Sequence, residues 1–518
     1  MRHLLPRVTI LLLAVLAGLV PAASGSAAAN WSARVDPTVL AAARDGATAE
    51  FLVVLAAQAD LSGAAARRDK TERGRYVYAT LTAVASRSQA PLRTLLDARG
   101  ASYRPYWISN MIWVRGDLEL IRIVASRSEV SHIYANTRQR AQLPESADPP
   151  AGPRNEGVIQ WNIDLTNAPD LWAAGFNGQG AVIGGQDTGY DWQHPAIMGQ
   201  YRGWNGQAAS HDYNWHDAIH DEDPNSNSPN PCGLSMAAPC DDDGHGTHTM
   251  GTMAGETPDT KFGMAPGAQW IGCRNMESGW GSPVTYAECY EWFIAPYPYG
   301  GNSFTDGDPS RAPHVINNSW SCTPSEGCTA VDILRQVVEA VTAAGIVTAH
   351  SAGNTGAGCG SVNTPPALYD ASFTVGATDG YDTIASFSSR GPVTVDGSSR
   401  LKPDIVAPGV SVLSSHRGGQ YAYLSGTSMA APHVAGLVAL LISADPRLAG
   451  QVEEIERVVT QSAQPLTSAE ACGDDTPASV PNNVYGWGRI DALAAFDMLD
   501  VKEFEFHTLL PTVFDGWD

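Results

Sequence analysis

Ser428 stands in GTSMAAPHVAG, residues 426–436, between a glycine turn and a run of small, helix-compatible residues. A serine at a helix start faces free backbone N–H groups and the positive end of the helix dipole, both of which favour a developing oxyanion. Pro432 falls near the first turn, where a missing N–H is best tolerated. Upstream, GHGTHTMGTMAG carries His245 and AVIGGQDTG carries Asp187, each in its own glycine-rich setting. An acyl carbon resists a neutral hydroxyl, so the attack needs a base, a carboxylate that fixes the base, and donors for the oxyanion. Ser428 is the candidate nucleophile, His245 the base and Asp187 the orienting carboxylate. Asn354, in HSAGN, is the candidate side-chain donor beside the backbone N–H of Ser428. Each has a plainer reading, as an N-cap serine, a structural histidine or a turn asparagine. His245 and His248 could suggest a metal, but neither a third ligand nor a catalytic glutamate stands near them in the sequence.

The order Asp, His, Ser in these contexts resembles that of the subtilisin-like serine peptidases. The resemblance covers roughly residues 156–500 and adds VINNSW around Ser319, FSSRGP at 387–392, LKPDIVAPGV at 401–410 and YGWGRIDALAAF near the end. The NNSW block and DTGYDWQHPAI look most like the bacillopeptidase F branch. DTG also occurs in aspartic peptidases, but those need two such carboxylates, and no second DTG or DSG is present. The resemblance implies a serine-type endopeptidase acting through an acyl-enzyme, with no cofactor required for the chemistry. It makes Ser319, Trp320 and Ser321, with Ala352 and Gly353, the residues along which an extended peptide pairs as an added strand. Family members commonly have glycine where Ser321 stands, which puts the breadth of accepted substrates in doubt. A peptide ligase or cyclase using the same acyl-enzyme, or a binding protein that kept the fold, are the rival readings.

The elements that must position these residues are legible as alternating patterns. From 156 onward short apolar strands, AVIGG, WIGC, HVIN, GIVTAH, SFTVGA and DIVAPG, alternate with helical stretches. This is the signature of an α/β fold, a parallel sheet with helices on both faces, and it puts Asp187 and Asn354 beyond strand carboxyl ends. Residues 30–142 read as a small α+β domain: a strand at 50–56, helix around 62–99, a strand at 106–116, then a further helix and strand. This pattern resembles the inhibitor-like propeptides of subtilisin-like enzymes, which implies a temporary inhibitor and folding aid for the domain at 156–500. LPESADPPAGP, within 143–155, is a cleavable linker.

Arg2 and Arg7 precede a mainly apolar stretch at 8–20 and then small residues, so 1–29 reads as an export signal too short to span a bilayer. No later segment is expected to be long and apolar enough to cross one. All eight cysteines lie after residue 230, and an even count in an exported chain favours disulfides. Cys232 with Cys240 and Cys322 with Cys328 are the expected pairs. With 43% hydrophobic and 17% charged residues the chain is an ordinary globular one. Net charge is −22, yet residues 1–154 hold 19 Lys and Arg against 12 Asp and Glu, so a cationic segment faces a strongly acidic remainder. That favours docking of the two parts and argues against nucleic-acid binding. The acidic runs Asp221, Glu222, Asp223 and Asp241, Asp242, Asp243 are read as solvated loops, with calcium binding or attraction of basic substrate residues as alternatives. The tail at 501–518 carries no assignable function.

Overall fold

Strands buried on both faces are mainly apolar on both, and a polar residue is accommodated where it finds a buried partner, as Gln186 does in Asn318. The computed structural model describes residues 31–140, 159–222 and 230–499. The expected signal (1–29), linker (143–155) and tail (501–518), together with Asp223, lie outside them.

The N-terminal domain runs α1 (Pro37–Ala42), β1 (Ala49–Leu55), α2 (Lys70–Arg99), β2 (Ser102–Tyr106), β3 (Met111–Gly116), α3 (Leu118–Ala125), β4 (Val130–Ala135) and the short β5 (Gln139–Arg140). Its four-stranded antiparallel sheet has the order β2-β3-β1-β4. The single strand expected at 106–116 is in fact the inner part of a hairpin. The chain turns at Trp107–Asn110, with Asn110 at φ 46°, a left-handed position that asparagine tolerates. The helix expected from 62 begins at Lys70, where Asp69 caps it by accepting from Glu72 N at 2.8 Å.

The large domain continues with α4 (Trp161–Asp164), α5 (Ala168–Ala173), β6 (Val182–Asp187), β7 (Trp215–Asp217), α6 (His245–Ala254), β8 (Gln269–Arg274), β9 (Trp280–Gly281), α7 (Pro283–Ile294), β10 (Val315–Asn318), α8 (Arg335–Ala343), β11 (Val347–Ser351), β12 (Phe373–Thr378), β13 (Ile405–Pro408), β14 (Val412–His416), β15 (Gln420–Leu424), α9 (Thr427–Ala444), α10 (Val452–Gln461) and α11 (Ala492–Asp497). Seven strands form one sheet in the order β13-β12-β11-β10-β6-β8-β7, parallel throughout. Side chains alternate across it: Ile183, Val315, Val347 and Trp270 join a core under α6, α9 and α10, whereas Ile316, Ile346 and Ile271 join one under α7 and α8. The expected doubly covered parallel sheet is thus the fold.

The second core does not end at the large domain. Leu52, Val77, Leu81, Trp107, Ile108, Met111 and Trp113 of the N-terminal domain pack into it with residues of α7 and α8. On β1, Phe51, Val53 and Leu55 serve the small domain's own core, while Leu52 faces its neighbour. Arg104 meets Asp221 at 3.0 Å, Arg115 approaches the same carboxylate at 4.0 Å, and Arg138 donates to the Asp221 carbonyl at 2.7 Å. The charge asymmetry of the sequence is here a local contact.

One expectation needs correction: α9 is long and apolar enough to cross a membrane, but its window lies wholly inside the protein as the central core helix. Four disulfides are present, the two expected and also Cys273–Cys289 and Cys359–Cys472. The last closes 113 residues of separation and the Cys322–Cys328 bridge only 6. By loop entropy, replacing Cys359 and Cys472 with serine should lower the unfolding free energy by about 4–5 kcal/mol, against about 2 kcal/mol for Cys322 and Cys328. Urea melts of the two double variants check the ranking, and an equal loss in both would contradict it.

Candidate active site

Asp187 is the last residue of β6 and fully buried, and His245 is the first residue of α6. His245 Nδ1 donates to Asp187 Oδ1 at 2.7 Å, and Thr188 N donates to the same oxygen at 2.8 Å. The other ring nitrogen of His245, Nε2, is buried and makes no hydrogen bond. Burial opposes the imidazolium, but the charge and hydrogen bond of Asp187 outweigh it, so the His245 pKa is raised above the ordinary imidazole value.

Gly244 and Gly246 permit this approach. Gly244 has φ 113°, and a Cβ there would lie 2.3 Å from the His416 ring; a Cβ on Gly246 would lie 2.1 Å from the Gly189 carbonyl oxygen. The turn is also pinned electrostatically. Asp241 Oδ1 accepts from Gly244 N at 2.8 Å, Asp243 N at 3.0 Å and Thr188 Oγ1 at 2.9 Å, while Oδ2 accepts from Thr247 N at 2.9 Å and Thr247 Oγ1 at 2.6 Å. A carboxylate at the start of α6 satisfies its free N–H groups and complements its dipole.

Ser428 is the second residue of α9. Its Oγ donates to the Ser319 carbonyl at 3.1 Å, and Ser319 Oγ donates to the Ser428 carbonyl at 2.8 Å. The second bond exists because Pro432, four residues on, has no N–H for that carbonyl; the proline sits inside the helix rather than in its first turn. Because Asn317 pairs with Gly185, Ser319 comes level with Asp187 on the neighbouring strand, which sets Ser428 on the same edge of the sheet as the Asp187–His245 pair. Asn354 follows β11, and its Oδ1 accepts from both Thr427 N and Thr427 Oγ1 at 2.9 Å. With Oδ1 engaged beside Ser428, the amide Nδ2 remains as a donor.

Among the expected substrate residues, Trp320 is buried, its ring stacked on Tyr286 at 3.9 Å, so only its backbone is left to meet a peptide. Asn317 Nδ2 donates to Ser319 Oγ at 2.9 Å, and Gly353 N donates to Thr427 Oγ1 at 3.2 Å. Ala352 N donates to Val375 O at 2.9 Å, whereas Ser321 is half-buried beside the Cys322–Cys328 bridge. Close by, β5 pairs antiparallel with β9, so the end of the N-terminal domain already occupies an extended position along the large domain.

The solvated-loop reading is corrected for Asp241 and Asp242, whereas Asp243 is only half-buried. Asp241 is spent on the α6 turn, and Asp242 is buried against Arg274 at 2.6 Å while accepting from Ser278 N at 2.8 Å. Burial outweighs the arginine and pushes the Asp242 carboxyl up to about 7. Both are internal counter-charges whose oxygens are taken, so neither stands open to calcium or to a basic substrate. His248 is structural as well, its Nε2 shared between the carbonyls of Val412 and Ala422 at 3.1 Å. The role of Asp241 was the residue missed by sequence reasoning; the signal available was its position four residues before His245, next to the helix start.

This fold and this arrangement define a class. The chain belongs to the subtilase family of serine peptidases, whose family model matches residues 178–488. It is similar to bacillopeptidase F of Bacillus subtilis (strain 168), with 37% identity over 407 residues, 75% of this chain and 26% of that protein. It is also 31% identical over 341 residues to subtilisin Savinase of Lederbergia lenta, covering 65% of this chain and 98% of that protein. The serine protease AprX of Bacillus subtilis (strain 168) is 33% identical over 281 residues, 49% of this chain and 58% of that protein. The chain thus spans about a quarter of bacillopeptidase F but nearly all of Savinase.

Replacing Asp241 with asparagine puts an NH2 group against donors of the α6 turn and removes the charge. The loss should be about 2–3 kcal/mol of unfolding free energy. Asp243→Asn, whose carboxylate makes none of these bonds, should stay within about 0.5 kcal/mol of the parent. Urea unfolding of both variants measures the difference.

Proposed function

We propose that the chain is an exported endopeptidase in which Ser428 attacks the peptide carbonyl, His245 takes its proton and Asp187 holds the histidine tautomer. The observation that carries this reading is the buried Asp187–His245 bond of 2.7 Å, with His245 Nε2 unpaired on the sheet edge that also carries Ser428. Ser428 Oγ, which donates to the Ser319 carbonyl at 3.1 Å, exchanges that partner for His245 Nε2 when substrate enters; such bonds commonly tighten only in the substrate complex. The tetrahedral intermediate forms as Oγ bonds to the carbonyl carbon and the proton passes to Nε2. Its oxyanion is met by Asn354 Nδ2 and the Ser428 N–H, a role supported by the bonds that hold Asn354 Oδ1 on Thr427 next to Ser428. Nε2 then returns the proton to the leaving amine, and water releases the acyl group by the same steps in reverse.

The N-terminal domain acts as a temporary inhibitor that the enzyme removes by cutting within the 143–155 linker. Its shared core with α7 and α8 and the β5–β9 pairing support that role. Four disulfides support an oxidising, extracellular setting.

Ser428→Ala should abolish peptide hydrolysis and accumulate at full precursor length on a gel, whereas normal maturation of this variant would sink self-processing. Asn354→Leu should lower kcat by about 10²- to 10³-fold, the magnitude being that of the family member subtilisin. Because only neutral His245 accepts the proton and its pKa is raised, kcat/KM should climb with pH through an inflection above 6.5. Asp187→Asn should cut kcat by about 10⁴-fold and move that inflection down. An unshifted inflection in this variant would mean that another group titrates.

A further inference from the structure

A second cluster of chemistry-bearing side chains lies outside the triad. His216 in β7, His220 in the loop that follows and Glu288 in α7 bring one ligand-type atom each to within 4.8 Å of one another. His216 Nε2 lies 2.9 Å and His220 Nε2 2.6 Å from the same carboxylate oxygen, Glu288 Oε1. Both imidazoles, four residues apart, therefore aim the same nitrogen at one point on Glu288, some seventy residues further along the chain.

The surroundings hold these three groups as a metal site would need. His220 Nδ1 is bonded to Ser235 Oγ at 2.8 Å, which fixes the ring with Nε2 inward. His216 stacks on Trp292, rings 5.8 Å apart and 15° from parallel, and Tyr297 OH stands 3.5 Å from its Nε2. Glu288 is buried, and the next residue along α7, Cys289, is bridged to Cys273 of β8. The second carboxylate oxygen, Oε2, is not shared with the histidines; it accepts from Tyr106 OH of the N-terminal domain at 2.6 Å. Partners of this kind, orienting ligands from behind, are what separates a metal site from a chance grouping.

From this geometry we propose that His216, His220 and Glu288 form a zinc site beneath the N-terminal domain, with water as the fourth ligand. Two imidazoles and a carboxylate suit zinc and related transition ions rather than calcium, which takes six or more oxygens. Bond lengths of about 2.0–2.1 Å in a tetrahedron put ligand atoms about 3.3 Å apart. The two imidazole nitrogens, now 2.6 and 2.9 Å from the carboxylate oxygen, need move outward by less than an ångström. Each Nε2 binds the metal through its lone pair, so the proton it shares with Glu288 Oε1 moves to Nδ1 of a neutral ring or is released to solvent. Because Glu288 also receives the Tyr106 hydroxyl, zinc and the N-terminal domain hold opposite oxygens of one carboxylate. Whatever factor docking of that domain changes the metal affinity by, the metal changes the docking by the same factor.

The test uses the full-length Ser428→Ala chain, which cannot process itself, without a histidine tag, stripped with chelator and dialysed. Calorimetric titration with zinc should show one site per chain with a micromolar or tighter Kd. Cobalt(II) should give the intense visible absorption of a tetrahedral complex. His216→Asn/His220→Asn and Glu288→Gln should each weaken binding at least 100-fold. Ser235→Ala, which touches no metal, should weaken it about 10-fold. Circular dichroism identifies any variant that fails to fold, and Ser235→Ala, the mildest change, then still reads the site. Absence of stoichiometric binding, or equal binding in the double histidine variant, would overturn the proposal and leave a hydrogen-bonded cluster only. None of these readouts involves peptide hydrolysis, so the zinc site stands or falls apart from the proposed activity.

Discussion

A carboxylate as deeply buried as Asp187 persists as an anion only where fixed donors replace the water it has lost. The His245 ring and the Thr188 N–H supply two of them, and the rest of the site is arranged so that these two are always at hand. Beside it, Asp241 repeats the solution with four donors from the turn that carries His245 and a fifth from Thr188. Beyond that, Arg274 lies between Asp217 and Asp242 with no exposure of its own. The Asp187–His245 pair is thus one member of a chain of buried charges, each holding the backbone on which the next depends. Loosening another member moves the histidine without touching it.

The parallel sheet supplies the second constraint. With Asn317 opposite Gly185, the register between β6 and β10 determines that the residue after β10 stands level with Asp187. Ser319 occupies that place and grips the first turn of α9 through a carbonyl that Pro432 leaves free. Serine and histidine thereby arrive on one edge from helices that begin 182 residues apart in the chain, as Thr427 and His245. Thr427 contributes to both sides, orienting Asn354 through its N–H and hydroxyl and receiving the Gly353 N–H.

Much of this was legible because local pattern and chemistry coincide: the apolar strands between 182 and 408, the glycine contexts of Asp187 and His245, and the helix start at Ser428 are all short-range signals. What escaped was long-range. A run of three aspartates looks solvated until folding brings Thr188 and Arg274 against it, and neither residue is near it in sequence. Trp320 looks like a rim residue until Tyr286 covers its face. The Cys359–Cys472 and Cys273–Cys289 bridges join residues whose nearness only the sheet creates. Likewise the turn before β3 reads as part of the strand at 106–116 because it opens with Trp107 and Ile108, apolar residues buried against the neighbouring domain.

That shared burial bears on how the two domains part. Leu52, Trp107, Ile108, Met111 and Trp113 reach their burial only in company with α7 and α8, and baring each would cost about 1.5–3 kcal/mol. Their sum, on the order of 10 kcal/mol, rivals the whole conformational stability of an average small domain. Severing the connecting peptide leaves that adhesion untouched. Under the proposed release of this domain, a small sheet that melts as it leaves would be an unstructured polypeptide beside a peptidase, and its departure would be irreversible.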